Sequence, residues 1–260
     1  MTKYPHRNLS TYFAIFFSLL ALLSICSCKK VEERSEILVS AAISLKEGLI
    51  ECAKQFEREH AGTKVVFNFA ASGLLAQQIS QGAPTDIFVS ASDEPVLSLQ
   101  KKNLLVDGSI QKLAGNKLVL MAPSDKQYKS ISDLKKAEKL AIGNPKTVPA
   151  GAYAVKALKS AGLYDYLESE HKLVLAEDAR QVLAYVEAGN VDAGMVYNTD
   201  ARLASRGRIC FVIPPNLSGE IKYQIACVRN SQRAQLAEQF ASFLSGARAR
   251  EIFEKLGFST

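Results

Sequence analysis

Four turns in this chain place small residues where a helix is expected to begin. The first N–H groups of a helix have no partner inside it, and the helix dipole makes that end positive. Glycine, alanine and serine leave those N–H groups uncovered, so such turns suit an incoming oxyanion. The turns centre on Ser44, Ser72, Ala150 and Ala179. If they met in one cleft, they would bind a dianion with uncharged donors.

Uncharged donors also select the protonation state of the ligand. A fully deprotonated tetrahedral anion accepts hydrogen bonds at every oxygen, whereas a singly protonated phosphate would leave its O–H without an acceptor in a dry site. Serine and alanine are also ordinary turn and cap residues, so each turn taken alone has a simpler explanation. The oxyanion hypothesis therefore depends on the number of such turns.

Other chemistries have less support. His60 and His171 lie among charged residues and outside any Gly-x-Ser-x-Gly context, so a serine nucleophile has no expected base. The histidines and cysteines lack metal-ligand spacing, and no dinucleotide fingerprint or P-loop occurs. Lysines and arginines are scattered without interleaved aromatics, which argues against nucleic-acid binding. We expect no enzyme activity, no cofactor and no bare metal cation.

The elements that must position the turns alternate between strand and helix. Segments 36–41, 64–70 and 87–89 are short and apolar, as in strands, and the segments between them carry apolar residues four apart, as in helices. This alternation predicts parallel sheets with helices on both faces. It occurs once before Ala122 and once after it, which predicts an α/β fold of two lobes. Ligands lie outside the carboxyl ends of such strands, so two lobes would enclose a cleft.

The same pattern gives approximate boundaries. We expect residues 36–118 and 224–260 to form lobe 1 and residues 119–223 to form lobe 2. Segment 113–122 is the longest apolar strand candidate in the first half, and Ser132 is expected to cap a short helix. Extended strands, 117–121 outwards and 223–227 back, would join the lobes. Periodicity alone predicts no more than a two-lobe α/β binding protein.

The first 28 residues have the pattern of an export signal. A positively charged flank precedes an apolar run over residues 12–26, which is too short to count on as a membrane span. The sequence ICSC at 25–28 resembles a bacterial lipobox. We take Cys28 as the lipidated residue because a serine, rather than an isoleucine, precedes it. An ordinary cleaved signal and an uncleaved anchor are the alternatives.

The mature chain of about 230 residues is long enough for one large or two small domains with a core. An apolar fraction of 48% and a charged fraction of 22% are typical of a soluble globular protein. Loss of Lys3 and Arg7 with the signal lowers the formal net charge from +6 to +4. Three cysteines remain, Cys52, Cys210 and Cys227, and the odd count argues against a disulfide framework. We expect free thiols, with a bridge between Cys210 and Cys227 as the alternative.

Longer motifs carry information that spacing does not. They are SAAISL at 40–45, FAASGLLAQQISQGAPTDIFVSAS at 69–92, AIGNPKTVPAGAYAVKAL at 141–158, AEDARQVLAYVEAGNVDAGMVYNTDA at 176–201 and EIFEKLGF at 251–258. With them the chain resembles the periplasmic molybdate-binding proteins of bacterial ABC importers over nearly all of residues 36–260. The resemblance implies a type II periplasmic-binding-protein fold with its ligand in the interlobe cleft.

The resemblance also implies a ligand set. In that family hydroxyls and backbone N–H groups hold the oxyanion, and no charged side chain touches it. Carried over by position, the donors are the hydroxyls of Ser44, Ser72 and Tyr197 and the N–H groups of Ala150 and Ala179. Two positions depart from the family's pattern. Ile43 replaces a small residue and Gly73 replaces a frequent hydroxyl residue, changes that would narrow the pocket or remove a supporting hydrogen bond.

The function implied is that of a receptor, not an enzyme. It would capture molybdate and also tungstate, with the metal bound only as its oxyanion, and deliver it to the permease of an ABC importer. We expect a monomer anchored by its lipid on the periplasmic side of the membrane. A receptor for sulfate or another tetrahedral oxyanion is one alternative, because pocket size rather than donor type separates these ligands. An exported serine hydrolase is the alternative from another class.

Overall fold

Two five-stranded sheets organise residues 35–260, the part of the chain that the computed structural model describes. The first sheet has the strand order β2-β1-β3-β10-β4 and the second has the order β7-β6-β8-β5-β9. The strands are β1 Ser35–Ala42, β2 Thr63–Ala70, β3 Ile87–Ser90, β4 Gln111–Asn116, β5 Leu118–Ala122, β6 Leu140–Gly143, β7 Leu173–Ala176, β8 Ala193–Tyr197, β9 Arg208–Ile213 and β10 Ile221–Cys227. The prediction of a two-lobe α/β fold is confirmed.

The predicted export signal, residues 1–28, and the predicted lipidation site Cys28 lie outside the described residues. Among the helices of residues 35–260, none combines the length and the apolar character that a membrane crossing needs.

Helices connect most of the strands. The α-helices are α1 Lys46–Glu59, α2 Ser72–Ser80, α3 Asp93–Lys101, α4 Pro149–Ser160, α5 Tyr164–Ser169, α6 Ala179–Glu187, α7 Asn198–Ala201, α8 Pro215–Ser218, α9 Ala234–Leu244 and α10 Ala247–Lys255. Two 3₁₀ helices span Ile43–Leu45 and Ile131–Lys136. The second begins after Ser130, whose N–H donates to the Asp133 carboxylate at 3.1 Å. The predicted cap, Ser132, is therefore wrong by two residues.

Both sheets are mixed rather than parallel. Strand β1 runs parallel to β2 and β3, but β10 is antiparallel to β3 and β4. In the second sheet β6 is parallel to β7 and β8, whereas β5 is antiparallel to β8 and β9. The prediction of parallel sheets is wrong for β5 and β10. These are the strands with which the chain enters each sheet from the other, and each runs against its neighbours.

The first passage between the sheets is very short. Strand β4 ends at Asn116 in the first sheet and β5 begins at Leu118 in the second. The apolar segment 113–122, predicted to be one strand, is therefore two strands of different sheets joined at Lys117. An apolar pattern shows which residues are buried, but it does not show which sheet buries them.

The chain returns through the segment between β9 and β10. Strand β10 pairs with β3 and β4 of the first sheet. Segment 223–227 therefore already belongs to the first sheet and does not connect the two lobes. The predicted boundary between residues 223 and 224 falls inside this strand. The lobe limits, 36–118 with 224–260 and 119–223, stay a prediction.

The cysteines are free thiols within residues 35–260. Cys52 and Cys227 are buried, and Cys210 is half-buried. Cys210 lies in β9 of the second sheet and Cys227 in β10 of the first, so the two cysteines belong to different sheets. Cys210 and Cys227 do not form a disulfide bond in this structure. Burial raises the pKa of Cys52 to about 12, which keeps it an unreactive core residue.

A close backbone contact predicts the effect of one substitution. Gly151, in the first turn of α4, packs against Gly143 at the end of β6, and a Cβ at Gly151 would overlap the Gly143 carbonyl group. We expect Gly151→Ala to lower the free energy of unfolding by about 2 kcal/mol or more, measured by urea denaturation. The neighbouring Ala152→Ser should change it by only about 0.5 kcal/mol. Equal effects of the two substitutions would contradict the contact.

Candidate functional site

The five residues predicted to hold an anion all lie at the carboxyl ends of strands. Ser44 follows β1, Ser72 follows β2, Ala150 follows β6, Ala179 follows β7, and Tyr197 is the last residue of β8. Strands β1 and β2 are parallel, and so are β6, β7 and β8. The carboxyl ends of parallel strands share one edge of a sheet. The structure therefore places two of the residues on one sheet edge and three on the other.

The two edges contact each other through the neighbours of these residues. The N–H group of Gly73 donates to the carbonyl oxygen of Thr147 at 2.9 Å. A Cβ at Gly73 would lie 2.6 Å from that oxygen, so the glycine that departs from the family's pattern is what permits the approach. This contact joins the start of α2, which begins at Ser72, to the turn that precedes α4.

A second contact joins the edges on the other side of Ser44. The guanidinium Nη2 of Arg180 donates to Oε2 of Glu47 at 2.6 Å. Glu47 lies in the first turn of α1, three residues after Ser44, and Arg180 follows Ala179 in the first turn of α6. Ser44 and Ala179 are therefore brought to the same interlobe contact.

The hydroxyl of Ser72 is held as an acceptor. Ser72 is fully buried, and its Oγ accepts a hydrogen bond from the N–H of Ala91 at 3.0 Å. Within residues 35–260 no hydrogen bond uses the hydroxyl hydrogen of Ser72. This hydrogen is thus available to an acceptor at the edge of the first sheet.

The hydroxyl of Tyr197 is the most unusual polar group of the site. Tyr197 is 1% exposed, and its hydroxyl oxygen has no hydrogen-bond partner among residues 35–260. Burial raises its pKa well above the ordinary value, so the phenol is a neutral donor. Leaving a buried hydroxyl unpaired costs about 1–3 kcal/mol. The phenol hydrogen of Tyr197 is therefore free for an acceptor from outside residues 35–260.

Ala150 and Ala179 contribute backbone donors. Ala150 follows Pro149 at the start of α4, and Ala179 is the first residue of α6. The N-cap residue Asp178 accepts from the N–H of Gln181 at 2.9 Å, which leaves the N–H of Ala179 free of the cap. Neither alanine N–H enters a hydrogen bond within residues 35–260.

Ser44 is linked to Tyr197 through a residue that the sequence did not indicate. The Ser44 Oγ lies 3.1 Å from the hydroxyl of Tyr223, and the rings of Tyr223 and Tyr197 are 5.8 Å apart between centroids. Hydrogen bonds within residues 35–260 do not join Ser44 to Ser72 directly. Ser44 also lines a cavity of about 190 Å³ together with Arg180 and Thr199.

A second opening lies on the side of Ser72. It has a volume of about 160 Å³ and is lined from both sheets, by Gly73 and Ser92 on one side and by Thr147 and Pro149 on the other. The two openings flank the contact between the sheet edges. Of the five predicted donor residues, only Ser44 lines one of these two openings.

The charged groups near the site neutralise one another. Arg180 contacts Glu47 and, through Nε, lies 2.7 Å from Oδ1 of the fully buried Asp200. Burial raises the pKa of Asp200 to about 7, against the lowering effect of Arg180 and with further upward contributions from Glu47 and Asp178. The guanidinium is therefore already paired with two carboxyl groups. Glu47 and Arg180 lie 133 positions apart, so no local pattern could have indicated this cluster.

The described part of the chain offers no cluster of metal-ligating side chains. Residues 35–260 contain no group of three or more histidine, cysteine, aspartate or glutamate side chains that could hold a metal ion. The donors at the two sheet edges are hydroxyls and N–H groups, which suit an anion.

The sequence is similar to known solute-binding proteins over its whole described length. Residues 37–259 match the family of bacterial extracellular solute-binding proteins. The molybdate-binding protein of Escherichia coli is 36% identical over 236 residues, which cover 87% of this chain and 90% of that protein. The molybdate-binding protein of Haemophilus influenzae is 34% identical and covers 86% and 90% respectively. A Bacillus subtilis protein, provisionally named an ABC transporter substrate-binding lipoprotein, is 36% identical over 95% of this chain and 98% of its own.

Solved structures agree with the fold. The periplasmic molybdate-binding protein of Azotobacter vinelandii superimposes with a TM-score of 0.77 at 26% identity, over 86% of this chain and 99% of that chain. The sulfate-binding protein of Mycobacterium tuberculosis superimposes with a TM-score of 0.74 at 16% identity, over 86% of each chain, which shows the shared fold alone. The prediction of a type II periplasmic-binding-protein fold is confirmed.

The buried carboxyl group of Asp200 predicts a pH dependence of stability. An unfolded aspartate ionises near pH 4, whereas folded Asp200 keeps its proton to about pH 7. Since the folded state then binds more protons, the free energy of unfolding should fall as pH rises from about 4 to about 7. Because Asn cannot titrate, the wild type should lose stability relative to Asp200→Asn as pH rises through this window. Urea denaturation at each pH measures it, and a difference independent of pH would contradict the burial effect.

Asp192 offers a control of the opposite sign. Burial raises its pKa, but hydrogen bonds from Lys126 and from the N–H groups of Lys139 and Glu138 lower it more. Its contribution is present above the ordinary pKa and is lost as pH falls. The wild type should therefore lose stability relative to Asp192→Asn as pH falls below about 4.

Proposed function

The chain belongs to the family of bacterial extracellular solute-binding proteins, and on this premise we propose that it captures molybdate and delivers it to the permease of an ABC importer. It is the solute-binding component of such a transporter, a role that requires binding and release without chemical change of the ligand. Tungstate, a tetrahedral dianion of the same charge, is a second ligand of the same site.

The observation that carries this proposal is the buried, unpartnered hydroxyl of Tyr197, which has no hydrogen-bond partner within residues 35–260. The unused hydrogen of Ser72 and the free N–H groups of Ala150 and Ala179 add donors at the same two sheet edges. Each member of this set has a hydrogen to give. A tetrahedral dianion has acceptors only, and it would pair each of these groups.

The paired state of Arg180 supports uncharged binding. Because the guanidinium already pairs with Glu47 and contacts the carboxyl group of Asp200, it is not free to pair with a ligand. The same cluster ties the helix start at Ala179 to the helix that follows Ser44. A bound ligand would therefore hold the lobes together through hydrogen bonds from uncharged groups. The ion pair of Arg180 and Glu47 would hold them together without touching the ligand.

The relatives support molybdate as the ligand. Proteins that are 34–36% identical and nearly as long as this chain are named molybdate-binding proteins. Sulfate has the same shape and charge and differs mainly in size, so it is the ligand against which the proposal must be tested. Donor type alone does not separate the two anions.

Attachment to the membrane is a part of the proposal that depends on residues outside the described region. The lipobox-like sequence at 25–28 supports a lipid on Cys28, and the Bacillus subtilis relative is named a lipoprotein. We infer a monomeric receptor held by this lipid on the periplasmic side of the membrane. A tethered receptor would reach the permease without leaving the membrane surface.

A ligand panel tests the proposed function. A ligand that binds only the folded protein, at 100 times its dissociation constant, raises the free energy of unfolding by about 2.7 kcal/mol. Molybdate and tungstate should therefore raise the melting temperature in a thermal-shift experiment, and sulfate at equal concentration should not. An equal shift with sulfate would show that the site binds tetrahedral oxyanions without preferring molybdate. No shift with any tetrahedral oxyanion would refute the proposal.

Tyr197→Phe tests the donor directly. The substitution removes one hydrogen bond to a charged acceptor, so we expect molybdate binding to weaken by about 1–3 kcal/mol in isothermal titration calorimetry. The ligand-free variant should be no less stable than the wild type, because the hydroxyl has no partner within residues 35–260. Tyr128→Phe, which removes the hydroxyl of another buried tyrosine, is the control and should bind normally. Unchanged affinity of Tyr197→Phe would show that this tyrosine is not a ligand.

A further inference from the structure

A chain of hydrogen bonds starts where the polypeptide first passes between the sheets. Asn116 is the last residue of β4, and its side-chain Oδ1 accepts from the N–H of Lys117 at 2.8 Å. An N–H group can only donate, so the amide oxygen must face Lys117 and the amide nitrogen must face the other way. The Nδ2 atom then donates to Thr199 Oγ1 at 2.9 Å and to the hydroxyl of Tyr223 at 3.0 Å.

The fixed amide sets the direction of the next bond. Since the hydroxyl of Tyr223 accepts from Asn116, its own hydrogen must go elsewhere. The remaining partner of that hydroxyl within residues 35–260 is Ser44 Oγ, at 3.1 Å. Tyr223 is fully buried and burial raises its pKa, so the phenol keeps its proton. Ser44 Oγ is therefore the acceptor of this bond.

This direction determines what Ser44 can offer to a ligand. With its oxygen already accepting from Tyr223, the buried Ser44 retains its own hydrogen for a further bond. Ser72 reaches the same condition through the N–H of Ala91, which also can only donate. Two serines on one sheet edge thus both accept one hydrogen bond and keep their own hydrogen, Ser72 through a backbone N–H group and Ser44 through a relay of side chains.

We propose that Asn116 and Tyr223 are positioning residues that keep the hydrogen of Ser44 free for the bound oxyanion. This inference rests on the proposed function, because it concerns a donor of the same site. A singly protonated anion such as hydrogen arsenate needs an acceptor for its O–H. The bond from Tyr223 uses one lone pair of Ser44 and leaves the Ser44 hydrogen for the ligand, and a dianion can accept that hydrogen at any of its oxygens.

The relay also spans the passage between the lobes. Asn116 lies one residue before Lys117, and its amide nitrogen bonds both Thr199, which follows β8 of the second sheet, and Tyr223, which belongs to β10 of the first. The orientation of Ser44 is therefore set from the hinge region, far along the chain from Ser44 itself. No group of the ligand needs to touch Asn116 or Tyr223.

Reversing the relay is the sharpest test. In Asn116→Asp the carboxylate only accepts, so Tyr223 donates to it and Ser44 must donate to Tyr223. Ser44 then presents lone pairs to the dianion, and we expect molybdate affinity to fall by about a hundredfold in isothermal titration calorimetry. In Tyr223→Phe the serine is only released, and the expected loss is about tenfold. Thermal unfolding of each variant checks that it is folded.

The double variant separates reversal from added charge. The negative charge that Asn116→Asp introduces acts in both backgrounds, but reversal requires the hydroxyl of Tyr223. Asn116→Asp should therefore cost at least about fivefold less in the Tyr223→Phe background than in the wild type. Tyr128→Phe should bind like the wild type. An equal fold-loss in the two backgrounds would assign the effect to charge alone and overturn the relay.

Selectivity gives a reading that a merely structural role would not change. In Asn116→Asp the hydrogen of Ser44 is given to Tyr223 and only lone pairs face the ligand, so the affinity for hydrogen arsenate relative to molybdate should rise by about tenfold. General damage to the pocket would weaken both anions together and leave their ratio unchanged, which would overturn the inference. Failure of the proposed function is a distinct result, since the wild type itself would then give no heat with molybdate.

Discussion

The structure depends on a simple constraint: a buried hydrogen-bond donor must find an acceptor. At the carboxyl edges of the two sheets several donors do not find one within residues 35–260. Tyr197 is buried without a partner, Ser72 uses only its oxygen, and the N–H groups of Ala150 and Ala179 lie at helix starts where no preceding carbonyl can reach them. Each of these groups is tolerable alone, and their collection at the two sheet edges is the observation on which the proposed oxyanion site rests.

The fold brings these edges together. One strand in each sheet, β5 or β10, runs against the others because the chain enters each sheet from the opposite one. The two lobes are consequently joined at Lys117, next to Asn116, whose amide contacts Thr199 and Tyr223. Gly73 against Thr147 and Glu47 against Arg180 then fix the closed arrangement on either side of the donors. These two contacts between the sheet edges use none of the five predicted donor groups.

Much of this arrangement is local and could be predicted from the sequence. The two-lobe α/β fold follows from the alternation of apolar segments, and the helix start at Asp178 follows from its capping chemistry. Strand direction and sheet membership could not be predicted, as segment 113–122 shows, because burial pattern contains no information on the neighbouring strand. The relay of Asn116 and Tyr223 and the cluster of Arg180 are also long-range. Their members are separated by 107 and 133 positions, and only the folded chain makes them neighbours.

The central claim is that uncharged donors from both lobes surround a bare tetrahedral dianion. A crystal structure of the molybdate complex tests it most directly. Five donor atoms should each lie about 2.7–3.1 Å from an oxygen of the anion. They are Ser44 Oγ, Ser72 Oγ, Tyr197 OH and the backbone nitrogens of Ala150 and Ala179. Arg180 should remain paired with Glu47 and Asp200. An anion held by a lysine or arginine side chain, or one bound where Ser72 and Tyr197 do not reach it, would contradict the account.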